Sequence, residues 1–409
     1  MTVRRLAART AALQRTQLSV QALTRLASVT VFLLASWWDT AHLPLVALQG
    51  ALFALPYALM EALVGRPLAA GLVPDDWDLR RWARSVAMVT ALPVGVVGYL
   101  SATVALPQTG VADRLLMVTP VLLQLPIEAL FWATMRSGSP LRANLVPQLT
   151  AVGTVVGAVA FVAVGLRVDV AAVPAQVAVL AWALLSMPPT RGDQVRPGIR
   201  PALSVGSVYC FAAVVDLSYS IALPSVAGAV AGQATVVVLR AMDLAFGPFH
   251  VLLSASTRED VVAGRRSRRW TAIRGLTVAA LLAVSAVMVL GGTRVRELLA
   301  TDLAAVGVTV VALYCAYKAL LMVSTWLSTR HMIWAAPRRY LVSAVGSRVV
   351  AFAVLAVAVV QATRPGDLVL LLVVGEVLVV IWFLGRMRPG RPADDTAAVV
   401  PSSGEAVRL

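Results

Sequence analysis

The sequence predicts an all-α polytopic membrane protein with about twelve transmembrane helices, arranged in two six-helix lobes with both termini in the cytoplasm. The first observation behind this prediction is composition: 59% of the 409 residues are hydrophobic and 13% are charged. Soluble proteins are about half apolar and about a quarter charged. The second observation is arrangement, because long apolar runs separated by short polar segments recur along the chain, and a spanning helix needs about 20 such residues.

The distribution of arginine gives the orientation. The chain carries a net charge of +15, and Lys318 is its one lysine among 35 basic residues. With the N-terminus inside, most arginines fall in inner loops and tails, as the positive-inside bias requires. The outer loops then hold only Arg114, Arg167, Arg294, Arg296 and Arg364. The densest basic run, residues 265–269, lies between two apolar runs and indicates a cytoplasmic loop rather than a surface for nucleic acid.

The elements follow in order. A basic cytoplasmic tail at residues 1–17 precedes the N-lobe, 18–187, and a polar cytoplasmic linker at 188–201 precedes the C-lobe, 202–385. The tail at 386–409 is rich in Pro, Ser, Asp and Ala, which predicts a disordered cytoplasmic segment. The predicted spans of the N-lobe are 18–37, 42–64, 84–105, 115–135, 145–165 and 169–187, and those of the C-lobe are 202–222, 226–252, 274–292, 303–327, 342–362 and 367–385.

The loops and motifs argue against an enzyme. The three histidines, His42, His250 and His331, lie in separate segments, and the sequence has neither a phosphate-binding Gly-rich loop with Gly-Lys-Ser/Thr nor His-Glu-x-x-His. Cys210 and Cys315 both lie in apolar runs without a Cys-x-x-Cys partner, so they predict neither a disulfide framework nor a zinc site. The outer loops are short, whereas membrane glycosyltransferases usually build their sites on a large one. We expect a transporter without a metal centre.

Ionisable residues inside the spans are the candidate functional residues, because each costs about 2.5–3.5 kcal/mol on insertion scales. Glu61 and Arg348 lie close to cytoplasmic ends, where long side chains reach the interface. The others are Arg25, Glu128, Asp216, Arg240, Asp243, Lys318 and Glu376.

Spacing suggests how these charges are used. Arg240 and Asp243 are three residues apart and share a helix face, which fits either an internal ion pair or a pair that opens on substrate binding. Lys318 has Tyr314 and Tyr317 beside it, and Asp216 and Glu376 are its candidate partners. Glu128 follows Pro126, where a broken backbone exposes carbonyls. Gly247-Pro248 predicts a bend in the eighth helix, which serves either as a hinge or in packing.

Several stretches resemble one transporter superfamily. They are ALMEALVGRPL (58–68), LLQLPIEALFWATMRSGSPLRANL (122–145), LRAMDLAFGPFHVLL (239–253) and Pro337-Arg338-Arg339. Together they are similar to the multidrug/oligosaccharidyl-lipid/polysaccharide (MOP) exporter superfamily, specifically to actinobacterial polysaccharide, O-antigen or teichoic acid exporters. The chain departs from the pattern at Ile127 and Glu128, where relatives often carry an Asp and a nearby Arg.

The resemblance implies a MATE-like or flippase-like fold. The function that it implies is a plasma-membrane flippase that moves a polyprenyl-pyrophosphate-linked oligosaccharide outward by alternating access. It assigns Arg25, Arg240 and Lys318 to a cationic site for the pyrophosphate. It assigns Asp216, Asp243, Glu376 and Glu128 to charge pairing or to binding of a coupling proton or sodium ion. It implies no cofactor, and it implies membrane lipids, the lipid-linked saccharide and enzymes of envelope glycan synthesis as partners.

Two other functions stay open at this point. A major-facilitator carrier of small solutes or drugs also has twelve helices, and the loop 71-GLVPDDWDLRR-81 keeps part of its signature but lacks the second glycine. A non-transporting scaffold that recruits envelope enzymes is the third alternative. The retention of ionisable residues in the spans argues against a scaffold, because a degenerate flippase has no use for them.

Overall fold

The structure is a computed structural model that describes residues 3–69, 72–136, 140–186, 195, 197–263, 268–291, 307–334, 337–362 and 364–386. The regular structure of these residues is helical. The predicted N-lobe contains α1 (Val3–Trp38), α2 (Leu43–Leu52), α3 (Ala54–Met60), a π-helical turn (Glu61–Gly65), α4 (Arg66–Ala69), α5 (Leu79–Ala105), α6 (Val111–Arg136), α7 (Pro140–Ala163), a 3-10 turn (Val168–Val170) and α8 (Ala172–Ser186). The predicted C-lobe contains α9 (Ile199–Ser204), α10 (Ser207–Ala231), α11 (Gln233–Ala263), α12 (Arg268–Leu290), α13 (Val308–Trp334), α14 (Pro337–Gln361) and α15 (Pro365–Arg386).

Helix length and composition confirm a multi-pass membrane protein. Among the described residues, nine helical segments are long and apolar enough to cross a bilayer, and two shorter apolar helices occupy Ala22–Trp38 and Val168–Ala183. The nine segments are Leu43–Gly65, Leu79–Ala105, Val111–Met135, Arg142–Ala163, Ala213–Ala231, Ala272–Leu290, Val308–Ser328, Val342–Gln361 and Pro365–Arg386. The total of twelve spans, the domain boundaries and the cytoplasmic location of the termini stay predictions. We use "outer" and "inner" for the sides that the arginine bias assigns.

One predicted boundary was wrong. The sequence places the break between the seventh and eighth spans at 223–225, next to Pro224, but α10 continues through Pro224 to Ala231. A proline is tolerated inside a membrane helix because neighbouring groups satisfy the carbonyl that it leaves free. The chain instead breaks at Gly232, whose φ of +83° lies in the left-handed region that favours glycine.

Apolar side chains face outward along the helices. Leu92 on α5, Leu290 on α12 and Val360 on α14 are among the large hydrophobic side chains that are exposed. In water, a surface of this size would drive association, so it indicates a lipid-facing exterior. A second set of apolar side chains packs inward and forms one main core that includes residues of both predicted lobes, such as Met60 on α3 and Met242 on α11.

The two predicted lobes meet mainly along α10 and α11. Helix α10 contacts α5, α3 and the π-helical turn, and α11 contacts α2 and α1. Glycines allow close approach on α10: a Cβ added at Gly206 would lie 2.7 Å from the Cα of Leu63, and one added at Gly228 would lie 2.4 Å from the carbonyl oxygen of Ala105. Backbone therefore meets backbone at both ends of α10.

The inter-lobe linker is attached to the loop that precedes α5. Most of residues 188–201 fall outside the described part of the chain, but Val195 pairs with Trp77 as an isolated β-bridge. The amide of Val195 donates to the carbonyl of Asp76 at 2.8 Å, and the amide of Asp78 donates to the carbonyl of Val195 at 3.1 Å. Asp78 also caps α5, since its carboxylate accepts from the amides of Arg80 and Arg81. The predicted tail at 386–409 lies outside the described residues, except for Arg386 itself.

Candidate functional site

Asp243, Tyr314 and Lys318 connect α11 to α13 in one polar cluster. Asp243 on α11 forms an ion pair with Lys318 on α13. The hydroxyl of Tyr314, one turn before Lys318, donates to Oδ1 of Asp243 at 3.0 Å and lies 3.2 Å from the carbonyl oxygen of Leu239. The sequence offered Asp216 and Glu376 as partners of Lys318, and the charge of Lys318 does act on Glu376. The acid that pairs with Lys318 is Asp243, because α11 and α13 pack against each other.

Two aromatic rings flank the lysine. The Lys318 ammonium lies 5.3 Å from the ring centroid of Tyr314 and 5.4 Å from that of Tyr317. An ammonium this close to two ring faces gains cation–π attraction. The side chain of Lys318 is 13% exposed, whereas that of Asp243 is 38% exposed. The carboxylate is thus the more accessible member of the ion pair.

Arg240 on α11 contacts two helices of the predicted N-lobe, α1 and α2. The Arg240 guanidinium donates to the hydroxyl of Ser28 on α1 at 2.6 Å. It also lies against Gly50 on α2, where an added Cβ would be 2.5 Å from Nε of Arg240. Arg240 and Asp243 share a helix face and their charges attract each other, while each also has a partner on a different helix.

Arg25 completes a line of cations at this level. Arg25 is exposed on α1, and its guanidinium lies near Gly247 on α11, whose added Cβ would be 3.4 Å from Nη1. The positive charges of Arg25 and Arg240 are close enough to repel each other. Ser28, Gly50 and Arg240 each lie about 10–15 Å from the outer end of their helix at a rise of about 1.5 Å per residue, so the cluster lies near the middle of a bilayer.

A second polar group of the C-lobe contains Glu376. The hydroxyl of Ser324 on α13 donates to Oε1 of Glu376, which is only 3% exposed on α15. The Arg348 guanidinium lies 5.5 Å from the ring centroid of Tyr219. Glu376 thus has a hydroxyl as its hydrogen-bond partner, and the charges of Arg348 and Lys318 also act on it.

Glu128 lies in the N-lobe, away from these cations. It is 8% exposed on α6, and its Oε1 accepts from Nε2 of Gln124 at 2.9 Å. Oε1 of Gln124 in turn accepts from Nε2 of Gln176 on α8 at 3.1 Å. Helix α6 continues through Pro126, so the broken backbone that the sequence suggested at this point is absent.

Two of the predicted site elements, Asp216 and Gly247-Pro248, are tested only in part by the structure. Asp216 lies in α10, but its side chain falls outside the described part of the structure. Gly247 and Pro248 lie inside α11, which is helical on both sides of them. Their role as a hinge stays a prediction.

A polar cluster at the outer end of the N-lobe was missed from the sequence. The Arg167 guanidinium forms ion pairs with Asp169 and with Asp113 on α6. The Asp39 carboxylate accepts from the amide of Val168 at 2.9 Å and lies 2.6 Å from Nδ1 of His42. The hydrogen bonds that Arg167 donates to Asp169 and the attraction of both carboxylates hold the pKa of Arg167 above its ordinary value, so this guanidinium is charged at every working pH. The cluster ties α1, α6 and the 3-10 turn together.

Comparison with solved structures identifies the fold. No family model matches the sequence, and no curated protein matches it. An inward-facing multidrug resistance MATE family transporter of the MOP superfamily is similar with a TM-score of 0.61 at 16% identity, covering 91% of this chain and 98% of that one. The lipid II flippase MurJ in an inward closed conformation has a TM-score of 0.63 at 10% identity, covering 90% and 86%.

The fold is that of the MOP superfamily transporters. A further structure with this fold, the MATE multidrug transporter DinF-BH, has a TM-score of 0.60 at 15% identity, covering 91% of this chain and 93% of that one. The predicted MATE-like or flippase-like fold is confirmed. The major-facilitator alternative predicted a different fold and is set aside. These MOP-fold neighbours are transporters and a flippase.

Proposed function

We propose that this MOP-fold chain is a flippase that moves a polyprenyl-pyrophosphate-linked saccharide from the inner to the outer leaflet by alternating access. The observation that carries the proposal is the line of Arg25, Arg240 and Lys318 near the middle of the membrane, where α1 meets α11. A diphosphate is the anion that two guanidiniums and an ammonium suit, because arginine binds phosphate oxygens in bidentate geometry and the contacts strengthen away from water.

The cluster is arranged for an anion that comes and goes. Asp243 is the acid among these cations, and its carboxylate is the accessible half of the ion pair with Lys318. An arriving phosphate would replace the carboxylate as the partner of Lys318 and the Ser28 hydroxyl as the partner of Arg240. Lys318 and Arg240 then have a partner in both the empty and the loaded state, and the Tyr314 hydroxyl remains as the partner of Asp243 when cargo is bound.

Reconstitution tests the proposal. The purified protein is placed in liposomes that contain fluorescent polyprenyl-pyrophosphate saccharides, and movement between leaflets is followed by quenching. Arg240→Ala, Arg25→Ala and Lys318→Ala are compared with Arg84→Ala, because Arg84 is an exposed arginine near the start of α5, away from the cluster. Movement that is lost in the three cluster variants and kept in Arg84→Ala supports the proposal. The absence of movement above empty liposomes for a panel of such lipids contradicts it and favours a scaffold.

A further inference from the structure

The carboxylate of Asp243 has one occupied oxygen and one open oxygen. The Lys318 ammonium forms its ion pair with Oδ1, and the Tyr314 hydroxyl donates to the same atom at 3.0 Å. Oδ2 accepts no hydrogen bond from any residue that the structure describes, and the Asp243 side chain is 38% exposed. Both oxygens of an ionised carboxylate accept hydrogen bonds. One half of this carboxylate is therefore available to a ligand.

Asp243 lies on the stripe of α11 that carries the candidate diphosphate site. It is about 15 Å from the outer end of the helix at a rise of about 1.5 Å per residue. Arg240, one turn before it, reaches Ser28 on α1, and Gly247, one turn after it, lies against Arg25. Side chains on the other faces of α11 are buried at this level: Ala241, Met242 and Leu244. The exposed carboxylate thus opens toward the junction of α11 with α1.

The surrounding charges decide what kind of group the open oxygen takes. In the described part of the chain, the charged side chains at this place are Arg25, Arg240, Lys318 and Asp243. Their net charge is positive, so an amine or a metal cation is repelled, while Oδ2 itself repels a phosphate oxygen. A neutral hydroxyl or amide N–H meets neither repulsion, and it forms a strong hydrogen bond with a carboxylate.

The spacing of Arg240 and Asp243 places that neutral donor beside the phosphate. Residues three apart on one helix face have Cβ atoms about 5–6 Å apart. A sugar that is joined to a phosphate through its anomeric carbon presents its ring substituents over a distance of this order. When a phosphate draws Lys318 away, Asp243 keeps the Tyr314 hydroxyl, and a donor on the sugar would replace the lost partner.

The aromatic rings at this place do not offer a second mode of sugar recognition. Tyr314 and Tyr317 are each only 2% exposed. Both rings have the Lys318 ammonium 5.3–5.4 Å from their centroids. Covered rings cannot receive the face of a sugar, so the carboxylate of Asp243 is the group that can contact it.

We propose that Asp243 determines specificity at the cargo site, where its Oδ2 accepts a hydrogen bond from a hydroxyl or acetamido N–H of the sugar attached directly to the diphosphate. This inference rests on the proposed function, because it concerns the same cargo. It adds a requirement that the cations do not impose, since a diphosphate without a donor-bearing sugar would leave Asp243 with the Tyr314 hydroxyl alone.

Binding of short-chain lipids to the purified protein in detergent, measured by microscale thermophoresis, tests the contact. The probes are diesters of geranylgeranyl diphosphate with equal charge: the glucosyl, N-acetylglucosaminyl and methyl esters. Analogues of the two sugar lipids each lack one donor, through fluorine in place of a hydroxyl or acetoxy in place of acetamido. We expect the better sugar lipid to bind about 10–100-fold more tightly than the methyl ester, and one analogue to lose this gain.

A charge-matched variant assigns the preference to Asp243. Asp243→Leu combined with Lys318→Met removes the carboxylate and its cation together, so the net charge of the site is unchanged. This double variant should bind the sugar lipids and the methyl ester equally. Asp75→Leu, in the exposed loop before α5, is the control and should keep the wild-type preference. The donor-deleted analogues test the same contact in the wild type, whatever the stability of the variant.

The outcomes separate this inference from the proposed function. Equal affinity of the wild type for the methyl ester and both sugar lipids overturns the role of Asp243 and leaves the diphosphate site standing. A sugar preference that persists in the double variant overturns it as well. Failure of every diphosphate lipid to bind the wild type refutes the proposed function and this inference together.

Discussion

Arg240 on α11 donates a hydrogen bond to Ser28 on α1 at 2.6 Å, which joins two helices through residues that are 212 positions apart in the sequence. The guanidinium of the candidate cargo site is therefore also a link between the two predicted lobes at mid-membrane. An anion that binds Arg240 competes with this link. On the proposed function, binding of cargo and release of α1 from α11 would therefore act through one side chain.

The first prediction concerns this link. In Ser28→Ala the guanidinium keeps its charge but loses its neutral partner, so we expect tighter binding of a diphosphate lipid. In Arg240→Lys the planar fork is lost, and a charge-assisted hydrogen bond worth about 1.5–3 kcal/mol predicts binding weakened by roughly 10–100-fold. Microscale thermophoresis in detergent measures both. Equal affinities in wild type, Ser28→Ala and Arg240→Lys would place the diphosphate elsewhere.

The second prediction uses a glycine to move Arg240 without changing any charge. A Cβ at Gly50 would lie 2.5 Å from Nε of Arg240, and this flexible guanidinium must give way. Gly50→Ala should therefore reduce transport as Arg240→Ala does while leaving the thermal midpoint nearly unchanged. Gly275→Ala on α12, which meets nothing within 4 Å, is the control. Full transport in Gly50→Ala would separate the position of Arg240 from function.

The third prediction concerns the ion pair of Asp243 and Lys318. Removing one partner leaves the other charge unsatisfied, so Asp243→Asn and Lys318→Met should each destabilise the protein by about 1–3 kcal/mol. The double variant should recover much of this loss. Thermal unfolding of the four proteins in one detergent measures the cycle. Additive losses would mean that the two charges are stabilised separately.

The fourth prediction concerns the outer cluster. Arg167→Gln should lower the thermal midpoint, because Asp113 and Asp169 lose their cation. A group whose pKa is raised contributes stability below its unfolded pKa, and for arginine that region includes every working pH. The loss should therefore be constant across the neutral range. A loss that changed across this range would contradict the role of Arg167 as a cation that is always charged.

The sequence predicts the fold well and the partners of the charges less well. Apolar runs decide where helices span, which is why the described spans lie close to the predicted ones. Pro224 and Gly232 are both turn residues, and only the packing of α10 against α5 shows that the chain breaks at the glycine. The resemblance supplied the flippase-like fold, which periodicity alone does not distinguish from other helical carriers.

The sequence predicts which ionisable residues form the site, but not which of them contact each other. Asp243 and Lys318 are 75 positions apart, and no spacing rule connects them. Ser28, Gln124 and Gln176 are neutral and are not among the predicted site residues, although a neutral amide or hydroxyl in an apolar span needs a partner as well. Ser and Gln at mid-span were the available signal.

The fifth prediction follows from the glycines of α10. A Cβ at Gly228 would lie 2.4 Å from the carbonyl oxygen of Ala105, which is backbone and does not move aside. Gly228→Ala should destabilise the protein by about 1–3 kcal/mol, the usual cost of overpacking, whereas Gly275→Ala should not. Thermal unfolding measures both. A neutral Gly228→Ala would show that α10 and α5 separate without cost.

Gly206 and Gly228 are 22 residues apart, which is about 33 Å along α10 at a rise of about 1.5 Å per residue. That distance is about the thickness of the hydrocarbon core. Backbone touches backbone near both membrane faces, at Gly206 and at Gly228. The two predicted lobes are therefore held close together along the whole length of α10. On the proposed function, alternating access would open the protein away from α10, where α1 meets α11 and the Arg240 side chain reaches Ser28. A cargo whose own tail stays in the bilayer would have its entrance there.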